Sequence, residues 1–85
     1  MRMPSPKLME ARKAYNDSDF HKAARMMREL AREAPNDADM LFRLGMCEMN
    51  LSRLPEARAA IERALKLSPG NPDFYCGLAG VSRRE

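Results

Sequence analysis

The sequence predicts an all-α fold, a helical repeat array of about five helices. Three observations carry that prediction. The stretch from Ala38 to Asn71 holds one amphipathic helix, a break near Ser52-Arg53-Leu54-Pro55, a second helix and a stop at Pro69-Gly70. Stepping 34 residues along the chain finds its marks again: Ala23 with Ala57, Met27 with Ile61, Pro35 with Pro69, Phe20 with Leu54, Leu44 with Leu78, Leu41 with Tyr75, and the small residues Ala11, Gly45 and Ala79. Charged residues make up 32% of the chain with both signs intermixed, which suits helices with long solvated faces and forms no like-charged tail. A fixed period of that length, with two helices per unit, marks a helical repeat array.

Each element has its own local reasons. Residues 1–5 carry no helical period and are expected to be a disordered lead; residues 6–85 form a single small domain with a modest core. Ser5-Pro6 opens the first helix, 6–16, with a cap followed by proline at the first helical position. Asn16-Asp17-Ser18-Asp19 is a turn of cap-forming residues. The second helix, 19–34, turns Phe20, Ala23, Met27, Leu30, Ala31 and Ala34 inward and ends at Pro35, which disfavours helix before it. Asn36-Asp37 caps the third, 37–51. Pro55 starts the fourth, 55–67, with Ala57, Ile61, Ala64, Leu65 and Leu67 toward the core and Arg58–Glu62 as a surface pair at i,i+4. Ser68-Pro69-Gly70 closes it. Asn71-Pro72 opens the fifth, 72–83, weakened by Gly77 and Gly80 at about 1 kcal/mol each against alanine.

At these residues the chain resembles the tetratricopeptide repeat family, whose pattern is W-x2-L-G-x2-Y, then A-x3-F, then P. Leu44-Gly45 supply the L-G pair, Ala57 and Ile61 the A-x3-F, and Pro69 the terminal proline. Leu41 stands at the tryptophan position, and Glu48 departs from the tyrosine. The resemblance implies an α-solenoid of stacked antiparallel helix hairpins: a repeat at 4–37, a second at 38–71, and a partial repeat or capping helix at 72–85. It implies that Phe74, Tyr75, Leu78 and Val81 cover the face of the last repeat. It implies no catalysis, and work done by holding another protein.

The third helix stands out. Met40, Leu41, Leu44, Cys47 and Leu51 make one apolar stripe, enough to pack it. Phe42, Met46 and Met49 make a second, at i, i+4 and i+7. Methionine fills irregular cores and is also over-used at adaptable binding surfaces, so filler and groove are both open readings. The separate packing stripe favours the groove. In the arrangement the resemblance implies, the first helix of each unit lines a concave surface. One period to either side then adds Leu8, Arg12 and Tyr15 from the first helix, and Cys76, Gly80 and Arg83 from the last. The expected ligand is an apolar helix or extended segment of a partner protein, with an acidic group opposite Arg12 or Arg83. Some members of the family grip a C-terminal carboxylate through basic groove positions. The positions here are Leu8, Arg12, Arg43, Asp73 and Gly77, which do not form such a clamp.

Other chemistries find little support. The four glycines are scattered, so no phosphate-cradling loop forms. His21 is the sole histidine, and Cys47 and Cys76 lack metal-ligand spacing; free thiols, no metal and no cofactor are expected. No signal peptide or membrane span is visible, so a cytoplasmic location is expected. Arg25, Arg28 and Arg32 stripe the second helix, but Glu29 and Glu33 interrupt them, so a solvated face is preferred to nucleic-acid binding. The main alternative to an adaptor or small chaperone is a structural protein that self-assembles through its groove and open ends. Two and a half repeats are fewer than such arrays usually need for independent stability, so a dimer or a partner-stabilised state is expected.

Overall fold

The computed structural model describes residues 6–85; the lead expected at 1–5 lies outside them. Five helices follow one another: α1 (Pro6–Asn16), α2 (Phe20–Glu33), α3 (Ala38–Asn50), α4 (Leu54–Leu67) and α5 (Pro72–Arg84). Their boundaries agree with the sequence reading to within a residue, because the caps stand where the cap residues are. Asp19 accepts from the Lys22 N–H, Asp37 from Met40 and Asn71 from Asp73. Each satisfies a donor that the first turn of a helix leaves open. No such bond forms at Arg53, where Pro55 sets the first turn of α4 instead.

The period reappears in the turns. Ser18 and Ser52, one period apart, both have φ of 62°. Ser18 N–H donates to the Tyr15 carbonyl and Asp19 N–H to Ala14, as Ser52 donates to Met49 and Arg53 to Glu48. This is the Schellman closure of a helix, with serine in the left-handed position that glycine usually takes.

Each helix packs on its neighbour in sequence, and α5 also reaches α3. Among the described residues α1 does not pack against α4, so the hairpins α1–α2 and α3–α4 stack in an open array. The layers approach closely because small residues face one another. Ala11, Ala23, Ala57 and Ala64 are fully buried, and a Cβ on Gly45 would lie 2.6 Å from Ile61 Cγ1 and 3.2 Å from the Ala57 carbonyl oxygen. Met27, Leu41, Ile61 and Phe74 are the large anchors between them. Fully burying a side chain of that size contributes roughly 1.5–3 kcal/mol.

Three side chains depart from the expected core. Leu67 and Tyr75 are 42% and 52% exposed, and Ala34 lies at the C-cap of α2 in solvent. Leu67 is the last residue of α4, beyond Ala64, the last buried residue of that helix. Tyr75 answers the buried Leu41 by period, but α5 packs only on α4 and α3, so that flank stays open. Its hydroxyl donates to the Pro69 carbonyl at 2.9 Å instead. Arg58, expected to pair along α4 with Glu62, donates its guanidinium to Ser82 Oγ at 3.0 Å and pairs with Glu85, tying α4 to α5.

Candidate functional site

Phe42, Met46 and Met49 lie half-buried along α3. With Cys76, Gly80 and Arg83 of α5 they border an open depression of about 440 Å³, whose rim also includes Asp73 and Gly77. The glycines set its width. A Cβ at Gly77 would stand 2.6 Å from the Phe42 ring, so α5 reaches that ring only because the position has no side chain. A Cβ at Gly80 would meet only Met49 Sδ, at 3.6 Å, and a larger side chain there would enter the depression. Arg84 anchors this geometry by donating to the Met49 carbonyl at 2.9 Å, across α5 and α3.

Phe42 has a second task. Its ring packs on Phe74 with centroids 4.8 Å apart, and it borders both clusters of the core. It is therefore a wall of the depression and a core residue together, where the sequence suggested an accessible groove residue.

The eight residues expected to line one surface fall into three neighbouring depressions. Arg12 and Tyr15 border a polar one of about 510 Å³ with Phe42, Arg43, Asp73 and Phe74. Leu8 packs against the core and borders a small recess beside Arg12 and Arg43. The polar depression is bordered by all three helices, with Arg12 and Tyr15 of α1, Phe42 and Arg43 of α3 and Asp73 and Phe74 of α5, whereas Met46, Met49, Cys76 and Arg83 border only the one between α3 and α5. Asp73, which the sequence reading named only in setting aside a carboxylate clamp, borders both of the larger of these depressions and brings an acidic charge to them. Its signal was its position one period after Asp39, which lines the polar depression too.

The α3 flank facing α2 holds Glu48, 2% exposed. Arg28 Nη2 and Nε donate to its Oε1 at 2.7 and 3.2 Å, and Arg53 Nη1 stands 3.7 Å from Oε2. Oε2 has no hydrogen-bond partner. A buried carboxylate keeps its charge only beside cations, so Glu48 gathers two arginines from separate elements. Arg28 is exposed, as expected of the arginine stripe, and is in addition engaged by Glu48. Beside Glu48, the Cys47 thiol is fully buried and lies 3.9 Å from Met27 Sδ. Burial first, and the Glu48 charge second, push its pKa up to about 11. Burial likewise raises the Tyr15 phenol, with Cys47 adding and Arg43 opposing. Cys76 is exposed, and both cysteines are free.

Among the described residues no group of three His, Cys, Asp or Glu side chains gathers as a metal site, and no helix is long and apolar enough to cross a membrane. Comparison with curated proteins gives no significant match. A family model described as tetratricopeptide repeat matches residues 8–72, from the first turn of α1 to the first residue of α5. With two helix hairpins repeated at the same spacing and a fifth helix covering the second, this chain belongs to the tetratricopeptide repeat family.

Proposed function

We propose that this chain binds an apolar helix or extended segment of a partner protein in the depression between α3 and α5. The family suggests a protein–protein interaction module and is generally non-enzymatic. One observation carries the finer reading: Phe42, Met46, Met49 and Cys76 present half-buried or exposed soft side chains around one open depression, without filling it. Inserting two or three apolar anchors there contributes roughly 1.5–3 kcal/mol each, enough for micromolar affinity after the costs of association. Arg83 at one side favours a ligand that carries a carboxylate beside its anchors.

The test selects displayed peptides on the intact chain and measures their affinity for Gly80→Leu and Met46→Ser, which spare Phe42. Selected peptides should pair apolar anchors with an acidic residue and lose at least about tenfold, a 1.4 kcal/mol step, on Gly80→Leu. Equal affinity for that variant would sink the groove.

A second reading, self-association, draws on Leu67 and Tyr75, large apolar side chains exposed near the α4–α5 turn. It expects a melting temperature that rises with protein concentration. A monomer in sedimentation with a concentration-independent melt removes it and leaves the groove standing.

A further inference from the structure

A second depression, of about 530 Å³, opens between α2 and the α3–α4 turn and shares no residue with the groove. His21, Lys22, Arg25, Arg28 and Arg53 line it, with Asp19 as the one acidic residue. Asp19 is engaged as the N-cap of α2. Glu29 and Glu33, the acids further along the same helix, are drawn to Lys7 at 3.2 and 3.7 Å. Lys22 and Arg25 have no ion-pair partner among the described residues. Lys22, Arg25 and Arg28 follow at i,i+3 spacing on one helix face, an arrangement of like charges that costs stability when nothing neutralises it.

We propose that this depression binds a phosphoryl group carried by a protein partner. A phosphorylated side chain brings close to two negative charges and several acceptor oxygens. Arginine forks match them bidentately. One of the arginines is already oriented, since the buried Glu48 carboxylate beneath it accepts from Arg28 at 2.7 and 3.2 Å, and Arg53 stands 3.7 Å from the same carboxylate. Less side-chain freedom is then lost on binding. The first turn of α2 contributes His21 and Lys22, and its dipole favours an anion there.

The shape and lining select the source of the phosphate. A polynucleotide would want a basic track with aromatic platforms, but no Phe, Tyr or Trp lines the depression and Arg32 lies outside it. A membrane surface would want apolar side chains beside the cations, and none is present. A single compact anion on a peptide fits. This inference rests on the protein-binding work of the family and not on the α3–α5 groove.

The test uses the full chain and a degenerate peptide pool with a fixed central phosphoserine. It is compared with the same pool carrying serine, with single-stranded oligothymidine, and with phosphatidylserine vesicles. The phosphoserine pool should be retained at least about tenfold more than the serine pool. Arg25→Glu should abolish that preference. Arg32→Glu, the same charge change on the same helix outside the depression, should leave it within about twofold. Gly80→Leu should leave it unchanged, which separates this site from the groove. Should circular dichroism show Arg25→Glu to be unfolded, Lys22→Glu takes its place with the same expectation. Equal retention of the two pools overturns the proposal. So does an equal loss in Arg32→Glu, which would reduce the effect to net charge. Binding of oligothymidine or vesicles as strong as that of the phosphoserine pool overturns it as well.

Discussion

The two hairpins share a frame and differ in chemistry. Ser18 and Ser52 close their turns with the same φ and the same hydrogen bonds, and Asp19 and Arg53 stand at the same place in the two N-caps. Ala14 in the first hairpin, however, becomes Glu48 in the second. Both are buried, but Ala14 only fills space, whereas Glu48 holds Arg28 and Arg53. On the other flank, Leu8, Arg12 and Tyr15 of α1 become Phe42, Met46 and Met49 of α3. The backbone repeat therefore fixes where a side chain stands. A single substitution at a fixed place decides whether that place is filler, clamp or binding surface.

The largest way to break this comparison is at the clamp. Arg28→Ala leaves the Glu48 carboxylate buried with only the distant Arg53, and should cost on the order of 3 kcal/mol in urea unfolding. Making the second hairpin resemble the first there, with Arg28→Leu and Glu48→Leu together, should recover most of that loss. A double variant as unstable as Arg28→Ala would show that the ion pair itself, and not the stranded charge, stabilises the array.

Glycine offers a smaller and two-signed contrast. Gly45→Ala forces a Cβ against Ile61 and the Ala57 carbonyl, and should cost about 1–3 kcal/mol although alanine is the better helix former. Ala11, at the same place in α1, already accepts its methyl in full burial. Gly80→Ala meets only ordinary contact with Met49 Sδ, so it should stabilise α5 by roughly 0.8 kcal/mol. Thermal melts of the two variants moving in the same direction would contradict the packing described for α3 and α5.

The turns should respond alike. Ser18→Gly and Ser52→Gly each relieve a left-handed serine, offset in part by the freer unfolded chain, for a net gain of about 0.5 kcal/mol apiece. Unequal gains would show that the two closures, though matched in hydrogen bonding, are not matched in strain.

The smallest effect separates the two cysteines. At pH 8 a disulfide reagent should label the exposed Cys76 readily and reach Cys47 only through unfolding. The folded chain keeps the Cys47 thiol neutral to about 11, above its ordinary 9.0, while the unfolded chain ionises first. The stability this contributes is fully present below pH 9 and is lost as pH rises from there through 11. Rapid labelling of both thiols at pH 8 would contradict the burial of α3 against α2.

Five helices, their boundaries and the family were legible in the sequence, because each rests on short-range chemistry. Caps at Asp19, Asp37 and Asn71 and prolines at 35, 55 and 72 act within a few residues of themselves, and the 34-residue period makes each unit a check on the next. Which residues share a depression was not legible in that way. Periodicity grouped Leu8, Arg12 and Tyr15 with Phe42, Met46, Met49, Cys76 and Arg83 as one lining, but Arg12 and Tyr15 share one depression with Phe42, the residues from Met46 on share another with it, and Leu8 borders neither. Phe42 became a core wall only because Gly77 of α5 admits its ring. Glu48 and Arg28, 20 residues apart, read as two ordinary charges until α2 and α3 packed and removed water from one of them. Local sequence determines a helix through contacts a turn away. The meaning of a charge or an apolar face depends on what lies across from it, and only the packing of distant helices decides that.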